Sequence, residues 1–316
     1  MTALTDTLFS HPVLHPWQLV LDTPAMAQLR GEITQWLWTG LPGAIIAGPA
    51  RVGKTTALDA VCDDLVDRSG RHIAVFRVSM PMRDQFTVVS VFRQLCTGAG
   101  LEFTQRHTAD QLADRYIHCI ADAMAETGIA QAVLMVDECQ RLTPKQFNAF
   151  AELYDRLRAL ERALLVVFVG NDAETWSLID GMDPHYYAHL HGRFFRVRRE
   201  FRGISSAQEV GDCLRQYDTR RHPPESGRTF VAEFLPEAVA AGFRLASASS
   251  LLWRVFRDYQ KAYKLDAWGM QSFAITTNTL LTDFLPRYGV DALDEQMVEE
   301  ALRMSGLIPS LVHTIQ

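Results

Sequence analysis

The segment Gly48-Pro-Ala-Arg-Val-Gly-Lys-Thr55 constrains the fold of this chain most, because it matches the pattern G-x-x-x-x-G-K-[ST] in full. The apolar run 43–47 before it predicts a strand, and residues 56–67 after it predict a helix. In that context backbone N–H groups surround phosphate oxygens, and the helix N-terminus adds positive charge. We therefore expect a phosphate-binding loop. Its expected contacts come from Gly48, Pro49, Ala50, Arg51, Val52, Gly53, Lys54, Thr55 and Thr56.

Two residues of this loop and an acidic pair further along predict a site for ATP and magnesium. Lys54 is expected to neutralise charge on the β- and γ-phosphates, and the Thr55 hydroxyl is expected to bind Mg²⁺. Asp137 and Glu138 directly follow the apolar strand 132–136. Asp137 is the second expected magnesium ligand, held through water, and Glu138 is expected to orient the attacking water. This pair favours ATP hydrolysis over transfer of a phosphoryl group to a substrate.

Three further polar side chains are candidates for the same chemistry. Asn171 ends the apolar strand 165–170, where it is expected to sense the γ-phosphate or the water. Arg193 is expected to reach a neighbouring subunit's site as an arginine finger. It is preferred over Arg196, which falls inside the predicted last strand, 194–197. Arg254 is expected to contact the phosphates from a helical lid, with Arg244 as its competitor.

The order of predicted elements indicates an α/β fold. Strands alternate with helices up to about residue 200, which predicts a parallel sheet flanked by helices, and a mostly helical region follows. The capping-box pairs Thr108/Gln111 and Thr143/Gln146 each predict the start of a helix. We expect an ATPase core over residues 24–203 and a helical lid over 204–302. Terminal tails are expected over residues 1–23 and 303–316.

Composition narrows the class of protein. The chain has 316 residues, of which 48% are hydrophobic and 22% charged, a balance typical of a packed globular protein. No apolar run approaches the length of a membrane span, and no secretory signal is recognisable, so we expect a cytoplasmic protein without a membrane partner. The five cysteines have no metal-binding or disulfide spacing. The net charge of −6 predicts no global attraction to nucleic acid, although a local basic lining remains compatible with it.

The motifs together resemble those of AAA+ ATPases, and within them the TnsC/TniB regulators of DNA transposition. The resemblance spans roughly residues 25–265. It depends on the segments 45–56, 133–142 and 201–204, and on the helix 147–157 leading to the strand 166–171.

This resemblance implies a function on DNA. Such a protein would form an ATP-dependent ring or filament on double-stranded DNA and would link target-selection proteins to a transposase. Targeting by a CRISPR effector is a further implication. The DNA contacts implied by the resemblance fall after the second strand, at Arg83, Gln105 and Arg106. Their grip on phosphates would be independent of base sequence and sensitive to salt.

Three other functions share these motifs. A helicase loader would also bind DNA, whereas an ATPase associated with a secretion pore would not need it. A nucleotide-gated interaction module with negligible turnover is the third, and Glu138 argues against it. Stimulation of ATP hydrolysis by DNA separates the DNA-binding functions from the secretion function.

Overall fold

The computed structural model describes residues 10–15, 19–82, 87–225 and 227–308. The described chain divides into two compact units. The sheet unit comprises residues 28–50 and 57–201. The helical unit draws on residues 10–27, 51–56 and 202–308.

A parallel five-stranded sheet forms the centre of the sheet unit, in the order β2-β3-β4-β1-β5. Its strands are β1 Gly43–Gly48, β2 Ala74–Ser79, β3 Gln131–Asp137, β4 Ala163–Asn171 and β5 Arg198–Glu200. In β3 the residues 132–136 are all buried, and in β4 the residues 164–170 are all buried. Successive side chains of a strand point to opposite faces, so these runs indicate that both faces of the sheet are covered.

Helices alternate with the strands. The first eight α-helices of the described residues are α1 Pro24–Trp38, α2 Lys54–Asp63, α3 Val88–Gly98, α4 Ala109–Thr127, α5 Asn148–Ala159, α6 Asp172–Asp180, α7 Ala188–Arg193 and α8 Ala207–Thr219. The helices α3, α4 and α5 bury an apolar stripe against β3 and β4. The capping box predicted at α4 is confirmed: Thr108 and Gln111 cap each other's backbone N–H groups.

The C-terminal part is helical, as predicted. It contains a two-stranded antiparallel ribbon, β6 Arg221–His222 and β7 Arg228–Thr229. Its helices are α9 Phe230–Phe234, α10 Pro236–Ala240, α11 Ser249–Tyr263, α12 Met270–Thr279, α13 Leu285–Tyr288 and α14 Glu295–Met304. A separate apolar core forms here around Trp268, which stacks on Phe256 with ring centroids 4.7 Å apart.

Two local predictions were wrong. The last strand is Arg198–Glu200 and not 194–197, because Phe194 and Phe195 are used for packing instead of pairing. Both rings lie against Phe168, with centroids at 5.6 and 6.2 Å. The helix predicted to begin after Thr143 begins at Asn148, although the Gln146 side chain accepts a hydrogen bond from the Thr143 N–H as predicted.

Candidate functional site

The carboxyl ends of the parallel strands bring several predicted residues of the sheet unit to one edge. Gly48, the last residue of β1, is the register partner of Asn171, the last residue of β4. At the far side, Asp137 ends β3 opposite Ser79, which ends β2. Ligands of open α/β sheets bind at this edge, so its side chains are the first place to look for chemistry.

The phosphate loop is held in a conformation that its glycines permit. A Cβ atom on Gly48 would overlap the carbonyl oxygen of Phe201, so the strand end approaches that backbone more closely than a side chain allows. Gly53 has φ +96°, which other residues rarely adopt. Helix α2 begins at Lys54, whose side chain is nearly buried. Gly53, Lys54 and Thr55, at the N-terminus of α2, offer the backbone N–H groups, the cation and the hydroxyl that a nucleotide phosphate and its magnesium ion require.

Residues 51–56 belong to the helical unit and pack within it. A Cβ atom on Gly53 would lie 3.2 Å from Cβ of Met270, and one on Gly269 would lie 3.2 Å from the Arg51 carbonyl oxygen. Arg51 itself has φ +60°, an uncommon conformation for a residue with a side chain. The start of helix α12 therefore lies against this part of the loop.

The acidic pair has a defined hydrogen-bonding environment. The Asp137 carboxylate accepts the Glu138 N–H at 2.8 Å, and Glu138 adopts a left-handed backbone conformation with φ +57°. Oε2 of Glu138 accepts from Nε2 of Gln140 at 2.7 Å and lies 3.1 Å from a guanidinium nitrogen of Arg141. Arg141 also donates to the Met80 carbonyl at 2.9 Å. No role was predicted for Gln140 or Arg141 from the sequence. Their position close after the acidic pair is the sequence feature that could have indicated one.

Asn171 lies where a residue that senses the γ-phosphate is expected. It occupies the N-cap position of α6, yet its side chain makes no capping hydrogen bond to that helix. Its amide instead donates to the Glu174 carboxylate at 3.3 Å, and its backbone N–H donates to Gln140 Oε1 at 3.3 Å. The simple capping explanation for this residue is therefore not supported, whereas its sensor role stays a prediction.

Comparison with known proteins identifies the architecture. A family model described as an AAA domain matches residues 43–178, which hold the phosphate loop, the acidic pair and Asn171. The ADP form of the Aeropyrum pernix ORC2 protein superposes with a TM-score of 0.50 at 14% identity, over 88% of this chain and 67% of that chain. The fold is that of an AAA+ P-loop ATPase.

Other solved structures resemble this chain more weakly. Drosophila ORC bound to DNA has a TM-score of 0.49 at 11% identity, covering 84% of this chain and 62% of that one. A Walker-type ATPase of Pyrococcus abyssi has a TM-score of 0.47 at 14% identity, covering 93% and 75%. No curated protein sequence matches. At these identities and TM-scores, the likeness to these two structures supports no conclusion about the function or the partners of this chain.

Arg196 does not lie inside the last strand as expected, because β5 begins at Arg198, and the choice between Arg193 and Arg196 as arginine finger stays a prediction. Arg193 lies in α7, where it pairs with Asp155 at 2.8 Å and lies over the Tyr154 ring at 5.6 Å. Arg196 precedes β5 and is exposed, and no ion pair to it occurs within the described ranges. Of the two, Arg196 is therefore the side chain free to reach another subunit.

The two lid candidates are both exposed in the helical unit. Arg254, in α11, pairs with Glu295 at 2.6 Å. Arg244 donates to the carbonyl of Phe243 at 2.8 Å. A sensor role for Arg254 stays a prediction and requires this exposed ion pair to break, which costs little in water.

Of the predicted DNA contacts, Arg83 lies outside the described residues. Gln105 and Arg106 form an exposed turn between α3 and α4. The Gln105 carbonyl accepts from Arg93 at 2.8 Å, which orders the turn. No ion pair to Arg106 occurs in the described part of the chain, so its guanidinium is available to a phosphate.

The described residues place two limits on other kinds of site. They contain no cluster of three or more His, Cys, Asp or Glu side chains able to hold a metal ion. None of the helices in these ranges combines the length and apolar character that crossing a membrane requires.

Proposed function

We propose that the chain is an ATP-dependent AAA+ regulator of DNA transposition. It would assemble on double-stranded DNA and link target-selection proteins to a transposase. The ATPase part is supported mainly by the arrangement of residues at one edge of the sheet. There Gly48, Asp137 and Asn171 are the last residues of β1, β3 and β4. The transposition part is supported by the likeness of the motifs to TnsC/TniB proteins.

The chain's own residues can be assigned to the steps of ATP hydrolysis. Lys54 and the loop N–H groups would bind the phosphates, and Thr55 and Asp137 would hold Mg²⁺. Bound magnesium would neutralise charge on the phosphate oxygens. Glu138 would orient water and accept its proton as the water attacks the γ-phosphorus, while Asn171 would help to align it. The bond between the γ-phosphorus and the β,γ-bridging oxygen would then break and release ADP. An arginine of a second subunit would stabilise the charge that develops in this transition state, and the exposure of Arg196 favours it for this role.

DNA binding is the second half of the proposal. Arg106 offers an exposed cation without an internal carboxylate among the described residues. The chain has a net charge of −6, so attraction to DNA has to come from such local groups, repeated around a ring or filament. Salt-sensitive binding that ignores base sequence is the expected signature.

The test is electron microscopy of the purified protein with a DNA duplex and a slowly hydrolysed ATP analogue, beside a Lys54→Ala control. Nucleotide-dependent rings or collars on DNA that the control lacks would support the proposal. Recruitment of a transposase to those assemblies would then separate the regulator from a helicase-loader-like remodeller. A protein that hydrolyses ATP, stays monomeric and ignores DNA would retain the ATPase assignment and overturn the transposition role, leaving the secretion-associated class.

A further inference from the structure

Gln140 bridges the two predicted catalytic positions of the sheet unit. Its amide nitrogen donates to Oε2 of Glu138 at 2.7 Å, and its amide oxygen accepts the backbone N–H of Asn171 at 3.3 Å. The opposite orientation of this amide would set its oxygen against a carboxylate and its NH₂ group against an N–H. Both contacts therefore fix the same orientation of the side chain.

The end of β4 is shaped to receive this amide. A Cβ atom on Gly170 would lie 2.5 Å from Oε1 of Gln140 and would also overlap the hydroxyl of Thr175. Only a glycine at this position leaves room for the Gln140 side chain against the strand. The close approach of Oε1 to Gly170 and the two hydrogen bonds together indicate that the Gln140 side chain is held in one place.

The Glu138 carboxylate has two side-chain donors, Gln140 and Arg141, and each donor is fixed by a contact to a different part of the sheet unit. Gln140 is anchored to the end of β4, whereas Arg141 is anchored to the Met80 carbonyl, one residue beyond β2. The contact to Gln140 is the shorter, 2.7 Å against 3.1 Å. Without the Gln140 amide, Arg141 alone would restrain the carboxylate and would draw it toward Met80. The position of this carboxylate thus depends on Gln140.

We infer that Gln140 is a positioning residue for ATP hydrolysis. It holds the Glu138 carboxylate in a fixed position relative to Asn171. The inference rests on the proposed ATPase activity and adds a residue to it. Gln140 need not touch the nucleotide. It acts through Glu138, whose alignment to the attacking water is the kind of geometry in which a displacement of about 1 Å costs roughly 100-fold in rate.

Gln140→Glu is the sharpest variant, because it is isosteric and changes one contact only. A glutamate at 140 still accepts the Asn171 N–H, but its ionised form repels Glu138 where the amide donated. At pH 8 we expect kcat for ATP to fall roughly 10- to 100-fold, with KM changed less than about twofold.

The split between kcat and KM separates a positioning role from a loss of nucleotide binding, because the Gln140 amide contacts Glu138 and Asn171. Gln140→Ala removes both contacts and should also lower kcat more than it raises KM. Gln111→Glu adds the same charge as Gln140→Glu at a capping position that needs only an acceptor, and its kcat should stay near that of wild type.

The outcomes distinguish the two levels of the proposal. If wild type hydrolyses ATP and Gln140→Glu matches it at pH 8, the positioning role is refuted and the ATPase stands. A fall in kcat that is accompanied by an equal rise in KM also refutes it. If wild-type protein that binds ATP shows no hydrolysis above Glu138→Gln, the ATPase fails and the positioning role fails with it. Thermal melting of each variant checks that the fold is intact.

Discussion

Burial of His11 predicts that the helical unit loses stability in mild acid. The His11 side chain is 1% exposed and lies among the rings of Phe230, Phe234 and His222, with centroids 4.8 to 5.2 Å away. Nδ1 accepts the N–H of Val13 at 3.2 Å, while Nε2 is buried and has no partner among the described residues. Loss of hydration, and secondarily the nearby His222, lowers the pKa of His11 from 6.5 to about 4.

The sign follows from the direction of this shift. The folded state binds the proton more weakly than the unfolded state, so stability is full above pH 6.5 and falls as the pH drops through 6.5 toward 4. With a folded pKa of about 4, the free energy of unfolding at pH 5 is lower by about 2 kcal/mol than at pH 8 from this group alone.

Denaturant unfolding followed by circular dichroism at pH 8 and pH 5 measures the effect. His11→Phe keeps a ring among its aromatic neighbours and cannot be protonated, so wild type should lose about 2 kcal/mol more than this variant over the same interval. Groups common to both proteins cancel in the comparison. Equal losses in wild type and His11→Phe would refute the reasoning, because the buried imidazole would then titrate as it does in the unfolded chain.

Three further substitutions test the loop, the core and the DNA contact. Gly48→Ala should weaken ATP binding more than tenfold in a fluorescent-nucleotide titration, because its Cβ has no room; Gly192→Ala, with open space, should leave affinity unchanged. Phe168→Ala removes a fully buried ring and should lower the free energy of unfolding by about 3–5 kcal/mol in a melting experiment, and a loss below about 1 kcal/mol would contradict the packing described. Arg106→Ala should reduce DNA affinity in filter binding. It should also reduce the slope of log affinity against log salt concentration by about one, because one phosphate contact is lost. Arg287→Ala removes an arginine already paired with Asp283 and should do neither.

The strands and the parallel sheet could be predicted from the sequence, because they depend on local patterns. Continuous apolar runs predicted β3 and β4. The T-x-x-Q signal at Thr108 is likewise local, since one hydrogen-bonded turn satisfies it.

What could not be predicted depends on contacts between distant segments. Phe194 and Phe195 have strand-like composition, but the aromatic core around Phe168 determines that they pack before the strand begins. The pairing of Arg193 with Asp155 joins two helices, and nothing near either residue in sequence indicates it. The role of Gln140 requires the end of β4 to lie beside the turn after β3, which only the folded sheet provides.

The packing of Met270 against Gly53 has a practical consequence for work with fragments. Residues 51–56 carry the lysine and threonine of the phosphate loop, and they belong to the same compact unit as the C-terminal helices. A truncated chain that stops after β5 would keep every strand of the sheet but would remove the neighbours of its own phosphate loop. The smallest fragment expected to bind nucleotide normally therefore extends at least through helix α12, and deletion of the C-terminal helices is not a clean way to separate partner binding from ATP binding.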